Sequence, residues 1–175
     1  MSDISLTYKM VILEFLNQAG FSLSNAQITD FILETGITNY FSVQEALHDL
    51  VAGGMIREER TNNTTYYACN KKAQEPLSLF QEKISSNIRE EIKQYLKEHK
   101  NTMQKQNAVV AHYHSSKSGD YLCTLRIQNE EGLLFSMSTH VPSQTMAEII
   151  CTNWKEKYDT VYPLLHEVVY DNLIE

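Results

Sequence analysis

The chain has 175 residues, 42% of them hydrophobic and 21% charged, which is typical of a globular protein with one domain or two small ones. Its apolar runs are far shorter than the roughly 20 residues that a membrane span needs, so we expect no membrane segment. Three widely spaced cysteines without a C-x-x-C pattern support neither a disulfide framework nor a zinc ribbon. The first residues lack the basic-then-apolar order of a secretory signal, and we therefore expect a cytoplasmic protein.

Capped helices are predicted near the start of the chain. Apolar residues at helical spacing predict a first helix that stops at a glycine. Ser24 and Gln27 form an S-x-x-Q capping box that begins a second helix, and Gly36 ends it. Ser42 and Glu45 form another capping box, followed by the apolar stripe of a third helix. Three helices this short are expected to share one core.

A β-hairpin is predicted after the third helix. From Met55 the helical period gives way to alternation, and a polar turn with Asn62 and Asn63 at its tip separates two strand-like runs. Three helices followed by a hairpin are the element order of a winged helix-turn-helix, although any small helical domain can carry a hairpin. We predict a winged helix-turn-helix domain over residues 1–75.

The rest of the chain is predicted to form a link and a second domain. An amphipathic helix over residues 76–100 is expected to break or bend near Ser85, Ser86 and Asn87. Residues 101–175 contain three strand-like runs, separated by the turns SSKSG and NEEG, and then a helix. We predict a C-terminal β-β-β-α domain for dimerisation or sensing, in which one side of an antiparallel sheet is dry. The fold class is α+β.

The last helix is expected to cover the dry side of this sheet. From about Ser143 its apolar residues recur at alternate spacings of four and three, and the seam consists of Ala147, Cys151, Trp154, Tyr158, Val161, Leu165 and Val168. This seam can pack on the chain's own sheet, or part of it can pair with a second subunit. Pro163 predicts a bend that would divide the two roles.

Four stretches of the chain are distinctive when they are taken together. They are LTYKMVILEFLNQAGFSLSNAQITDFILETGITNYFSVQEALHDLVAGGMI, YYACN, IREEIKQYLKEHK and VPSQTMAEIICTNWKEK, and they span almost the whole sequence. They resemble domain-of-unknown-function family 4364. The resemblance implies a bacterial cytoplasmic protein with an N-terminal winged helix, a smaller C-terminal part and a role in transcriptional regulation through DNA binding. It implies no catalytic residues.

The third helix and the hairpin supply the predicted DNA contacts. In helix-turn-helix modules the first turns of the second helix of the motif enter the major groove, where side chains contact base edges. The predicted base contacts here are Ser42, Gln44, Glu45 and His48. The predicted contacts to the DNA backbone, which need cations or polar groups, are Tyr40, Arg57, Arg60 and Lys71. Double-stranded DNA is therefore the predicted partner.

The predicted DNA-binding domain is acidic, with nine Asp and Glu residues against five Lys and Arg residues in positions 1–75. Because neutralising phosphates supplies much of the affinity for DNA, a single copy offers few ionic contacts. A homodimer on a palindrome would double them. The alternative is a protein interaction module without DNA binding, with Tyr40, Phe41, His48 and Asp49 facing another polypeptide.

Enzymatic and cofactor chemistry find no support in the sequence. It contains no G-x-S-x-G, no H-E-x-x-H and no phosphate-binding loop, so we expect neither an enzyme nor a bound cofactor. His112, His114 and His140 form a weak candidate metal cluster, but solvated histidines are common at strand ends, and we predict no metal. A further alternative is a regulator that senses a small effector in its C-terminal domain.

Overall fold

The computed structural model describes residues 3–129 and 131–170. These residues form six α-helices, two short 3-10 helices (Lys71–Ala73 and Gln81–Lys83) and two three-stranded antiparallel sheets, which confirms the α+β class. The helices are α1 (Asp3–Ala19), α2 (Asn25–Glu34), α3 (Tyr40–Ala52), α4 (Gln74–Leu79), α5 (Ser86–Ala108) and α6 (Gln144–Tyr170). The strands are β1 (Leu23–Ser24), β2 (Ile56–Arg60), β3 (Thr65–Cys69), β4 (Val109–Ser115), β5 (Tyr121–Asn129) and β6 (Gly132–Val141). None of the described helices is long and apolar enough to cross a membrane.

The chain divides into two compact units, an N-terminal unit (Met1–Asn107) and a C-terminal unit (Ala108–Glu175). The first unit contains α1 to α5 and the sheet with strand order β1-β3-β2. The second contains the sheet with strand order β4-β5-β6 and the helix α6. Each unit has its own buried apolar residues.

A stacked pair of phenylalanines lies at the centre of the N-terminal unit. Phe15 of α1 and Phe31 of α2 are fully buried, and their ring centroids are 4.1 Å apart. Tyr95 of α5 packs edge-on against both rings. Ile92 and Leu96 of α5 are buried in the same cluster. The segment that we predicted as a link is therefore part of the N-terminal core.

The two predicted capping boxes have different outcomes. The box at the start of α2 is confirmed, because Ser24 Oγ accepts a hydrogen bond from the Gln27 amide at 3.1 Å and Gln27 Oε1 accepts one from the Ser24 amide at 3.0 Å. The prediction of a capping box at Ser42 is wrong. Helix α3 begins earlier, at Tyr40, and Asn39 Oδ1 accepts the hydrogen bond from the Ser42 amide at 3.1 Å. Asn and Ser are comparably good N-caps, and here the upstream one is used.

The predicted hairpin is confirmed as β2 and β3, with Asn62 and Asn63 at its tip. Thr61 closes the turn, because its amide and its hydroxyl both donate to the Thr64 carbonyl at 2.8 Å. The two-residue strand β1 adds to the other edge of β3 and was not predicted. Two residues are too few to show an alternating period.

The amphipathic segment after the hairpin is broken where we expected it. Helix α4 ends at Leu79, and α5 begins at Ser86, with the Ser85 hydroxyl accepting from the Ile88 amide at 3.3 Å. Helix α5 continues to Ala108, so the first residues of the run QNAVVAHYH are helical and the strand β4 begins at Val109. The helix is longer than the predicted one because its apolar spacing continues through the buried Met103.

The C-terminal sheet has one face covered by α6, as predicted. Cys123, Leu125 and Ile127 of β5 are buried, whereas the residues between them are partly exposed. From α6, Ala147, Cys151 and Trp154 are buried against this face. The last part of the predicted seam is different, since Val168 is 77% exposed. The packed part of the seam therefore ends before the helix does, and α6 continues through Pro163.

A buried pair of carboxamides ties the end of α5 to the start of α2. Asn107 Nδ2 donates to Gln27 Oε1 at 2.8 Å and to the Ser22 carbonyl at 2.9 Å. Gln27 Nε2 donates in return to Asn107 Oδ1 at 3.2 Å and to Gln106 Oε1 at 2.9 Å. Both Gln27 and Asn107 are less than a tenth exposed, so their polar groups depend on each other.

Replacing Asn107 with alanine tests this pair. The substitution removes these hydrogen bonds from the buried Gln27 carboxamide and from the partly exposed Ser22 carbonyl, so the free energy of unfolding should fall by about 1–3 kcal/mol. Urea unfolding followed by far-ultraviolet circular dichroism measures the change. Lys105→Ala, at an exposed position on the same helix, is the matched control and should change it by less than about 0.5 kcal/mol. Equal effects of the two substitutions would show that the carboxamide pair contributes nothing.

Candidate nucleic-acid interface

Helix α3 buries one face and exposes an uncommon combination of side chains on the other. Val43, Leu47 and Leu50 are buried in the core of the N-terminal unit. The exposed residues along the other side include Tyr40, Phe41, Glu45 and His48, and Phe41 is 81% exposed. The helix contains neither lysine nor arginine. Any partner of this surface must therefore be recognised by aromatic and hydrogen-bonding groups.

The four predicted base contacts differ in their exposure. Glu45 and His48 are exposed, whereas Ser42 and Gln44 are only partly accessible. The Gln44 carboxamide is already bound within the protein. Its Oε1 accepts from Asn25 Nδ2 at 2.8 Å, and its Nε2 lies 3.1 Å from Asn25 Oδ1 and 3.4 Å from the Thr29 hydroxyl. Gln44 therefore holds α3 against α2, and Glu45 and His48 are the more accessible of the four predicted residues.

An ion pair beneath α3 neutralises one of its carboxylates. Lys9 Nζ of α1 lies 2.6 Å from Asp49 Oδ2, and the lysine side chain is only 8% exposed. The hydrogen bond from Lys9, together with its charge, lowers the pKa of the Asp49 carboxyl below its ordinary value of 3.8. His48 Nδ1 lies 3.6 Å from the other oxygen of Asp49. Lys9 was not among the predicted site residues, because nothing local in the sequence connects positions 9 and 49.

A groove runs between the hairpin and the first residues of α2 and α3, and we call it the hairpin groove. It has a volume of about 610 Å³, and its lining includes Asn25, Thr29, Asp30, Tyr40, Arg60 and Asn62. Two of the four predicted backbone contacts, Tyr40 and Arg60, therefore lie together. Arg60 Nη2 is also 3.0 Å from Glu58 Oε1, and the arginine side chain is 75% exposed. Asn25 and Thr29 were missed by the sequence analysis.

The other two predicted backbone contacts lie elsewhere. Arg57 and Lys71 line a separate cavity of about 290 Å³, together with Leu16, Gly20 and Asn70. Arg57 and Arg60 are three positions apart on β2, so their side chains point to opposite faces of the sheet. The four predicted contacts to the DNA backbone thus form two pairs, and only one pair is next to the start of α3.

The three histidines of the weak metal cluster are not brought together. Strand β5 lies between β4, which carries His112 and His114, and β6, which carries His140. His114 and His140 lie opposite Leu122 from its two sides, and neighbouring strands are about 4.8 Å apart, so about 10 Å of sheet separates these two residues. His140 Nδ1 is 2.5 Å from Asp120 Oδ2 instead. Within residues 3–129 and 131–170 no cluster of three metal-binding side chains is found.

Comparison with known proteins identifies one family. The family model of Domain of unknown function (DUF4364) matches residues 8–168. Neither curated proteins nor solved structures give a match.

The pair of Lys9 and Asp49 makes stability depend on pH. Because folding lowers the pKa of Asp49, its contribution to stability is present above the ordinary value of 3.8 and is lost as the pH falls through the lowered pKa of the folded state. Asp49→Asn should lower the melting temperature at pH 6 and reduce the loss of stability between pH 5 and pH 2.5. Thermal unfolding across this range measures both effects.

Glu45→Gln is the control for this substitution, since it removes a carboxylate from the exposed side of the same helix. It should leave the melting temperature at pH 6 nearly unchanged, because an exposed carboxylate contributes little. If both variants melted alike at every pH, the ion pair would not stabilise the fold.

Proposed function

The chain belongs to the DUF4364 family, and we propose that it is a DNA-binding regulator of transcription of the winged-helix type that acts as a homodimer. The single observation that carries the proposal is the hairpin groove, which combines the first residue of α3 with the hairpin. The interpretation of the N-terminal unit as a winged helix rests on its order of elements, α1-β1-α2-α3-β2-β3, and on the pairing of β1 with β3.

The hairpin groove has the composition of a surface that binds a DNA backbone. The Tyr40 hydroxyl, the Asn62 carboxamide and the Arg60 guanidinium are donors of the kind that contact phosphate oxygens. Such contacts would fix the position of α3 without reading sequence. Asp30 also lines the groove and offsets part of the positive charge of Arg60. We therefore expect the affinity to depend only shallowly on salt concentration.

Sequence would be read by the exposed side of α3. The Glu45 carboxylate can accept from the N4 amino group of cytosine, and the His48 imidazole can donate or accept at a base edge. Asp49 does not compete with these contacts for bases, because Lys9 binds its carboxylate. Two α3 helices bound to one DNA molecule would compensate for the few ionic contacts that each copy makes. A two-fold dimer on a palindrome places two α3 helices in this way.

Substitution of the two arginines of β2 tests the proposal with a built-in control. Arg60 lines the hairpin groove and Arg57 does not, although they share the residue type and the strand. Arg60→Ala should weaken binding by about ten- to a hundredfold, because a charge-assisted hydrogen bond contributes about 1.5–3 kcal/mol. It should also reduce the slope of log affinity against log salt by about one for each phosphate contact removed. Arg57→Ala should change neither quantity.

The measurement is fluorescence anisotropy of the full chain on the DNA upstream of its own coding sequence and on a scrambled duplex, over a series of salt concentrations. Preference for the upstream DNA, together with the difference between the two arginine variants, supports the proposal. Absence of binding to either duplex at low salt would overturn it. Equal losses in the two variants would leave DNA binding in place and remove the hairpin groove as its site.

A second candidate function is favoured by the exposed aromatic pair at the start of α3. Tyr40 and Phe41 are 50% and 81% exposed, and their rings meet edge to face with centroids 5.9 Å apart. Exposed aromatic side chains next to an acidic residue such as Glu45 are typical of protein recognition, in which a few aromatic residues supply most of the binding energy. On this alternative the N-terminal unit binds another polypeptide and no DNA.

Phe41→Ser distinguishes the two candidate functions. A protein partner that loses the Phe41 ring should bind at least about thirtyfold more weakly, as expected when an interface hot spot is truncated. Leu33→Ser is the matched control, since Leu33 is 47% exposed on α2 and lies outside the aromatic pair. Affinity capture from extracts should then recover one protein with the wild type and with Leu33→Ser, but not with Phe41→Ser. Identical recovery with all three chains would eliminate this candidate.

A further inference from the structure

The strand β6 presents a long edge without charge. Its ten residues, GLLFSMSTHV, include no Asp, Glu, Lys or Arg, and the strand is about 34 Å long at 3.4 Å per residue. Among the described residues no strand pairs with its outer side. An outer strand presents a row of backbone amides and carbonyls that another strand can bind, and proteins usually block such an edge with charged residues or proline. We call this feature the β6 edge.

Apolar side chains are exposed along the β6 edge. Leu133 and Leu134 are 60% and 52% exposed, and Met137 is 38% exposed. Met137 lies opposite the buried Leu125, on the face that α6 covers over β5. Leu134 lies at a β-bulge, where the pairing shifts between Ile127 and Gln128, so the regular alternation of faces does not apply to it. The sheet's other outer strand differs, because Val110 and Ala111 of β4 are buried. The two edges of this sheet are therefore not equivalent.

The last turns of α6 extend the apolar surface of the β6 edge. Leu134 and Met137 form one wall of a groove of about 240 Å³, and Tyr162, Leu165 and Val169 of α6 form the other. On the same turns Leu164 and Val168 are 55% and 77% exposed. Strand edge and helix end thus share one mainly apolar groove within the C-terminal unit, which Ser136 and His166 also line. A contiguous surface of this kind marks an interaction site.

The charge of the chain and the pairing chemistry of a strand edge favour a second copy as the occupant. The chain carries a net charge of −7, so two copies repel each other wherever their acidic surfaces meet. The β6 edge is a place where they can approach without this repulsion. Residues 132–141 include no lysine or arginine for a nucleic acid or for an acidic peptide, and His140 is already paired with Asp120. The backbone groups of the β6 edge need another strand, and antiparallel pairing of a strand with its own copy is self-complementary about a two-fold axis.

We infer that two copies of this chain pair antiparallel along β6 and form one six-stranded sheet, with the last turns of each α6 packed over the junction. A standard interface of about 800 Å² per partner takes about 20–30 residues of each copy, so the ten residues of β6 need the residues at the end of α6 beside them. The inference deepens the homodimer of the proposed function by assigning its interface, but it does not require DNA binding.

The test is sedimentation velocity of the full chain without DNA over a range of concentrations. The wild type should dimerise, and Leu134→Lys should weaken the association about a hundredfold or more, because it places two like charges in an uncharged interface. Ile149→Lys is the matched control. Ile149 is 54% exposed on α6 in the same unit and lies outside the groove, so this variant should dimerise like the wild type.

Hydrogen exchange on the wild type gives a second measurement that needs no variant. The amides of residues 132–141 should exchange more slowly at concentrations where the chain is dimeric than at concentrations where it is monomeric, and those of 109–115 should not change. A wild type that stays monomeric would overturn the inference. So would a dimer that Ile149→Lys disrupts and Leu134→Lys leaves intact. A dimer that binds no DNA would refute the proposed function and leave the β6 interface standing.

Discussion

The stacking of Phe15 on Phe31 is the contact on which the arrangement of the N-terminal unit depends. It joins α1 to α2, and Tyr95 joins α5 to both. With α2 fixed in this way, its first turn can hold α3 through the hydrogen bonds between Asn25 and Gln44. The same turn lines the hairpin groove, so the position of the groove follows from the aromatic core.

The sequence predicts those features of this unit that are set by near neighbours along the chain. The cap at Ser24 was identified because its partner, Gln27, is three residues away. The cap at Ser42 was wrong because Asn39 offers the same chemistry one turn earlier, and local rules do not decide between them. The roles of Gln44 and Lys9 were not accessible, because their partners are 19 and 40 residues distant in sequence. These long-range contacts depend on how the helices pack.

In the candidate site, too, the sequence predicts what depends on near neighbours along the chain and misses what depends on how the helices and strands pack. The exposure of Glu45 and His48 follows from the helical period, and the structure agrees with it. The separation of Arg57 from Arg60 could also have been predicted, since residues three apart on a strand point to opposite faces. The groove itself could not, because it is formed by three elements whose contact requires the folded core. The separation of the histidines of β4 and β6 could have been predicted as well, because two consecutive hairpins place β5 between them.

The distribution of charge connects the proposed DNA binding with the proposed dimer. A protein that binds DNA with few cations must obtain affinity from shape, from hydrogen bonds and from the simultaneous engagement of two sites. The second site adds affinity only if the two copies are held at a fixed spacing, and a shared sheet holds them more rigidly than a flexible contact between side chains would. An uncharged strand suits an acidic chain for such a sheet, since like charges facing each other across a new pair of strands are destabilising. Strand β6 has no Asp, Glu, Lys or Arg, and α3 has no lysine or arginine. Both features are consistent with one mode of action, in which the dimer compensates for the few ionic contacts that each protomer makes with DNA.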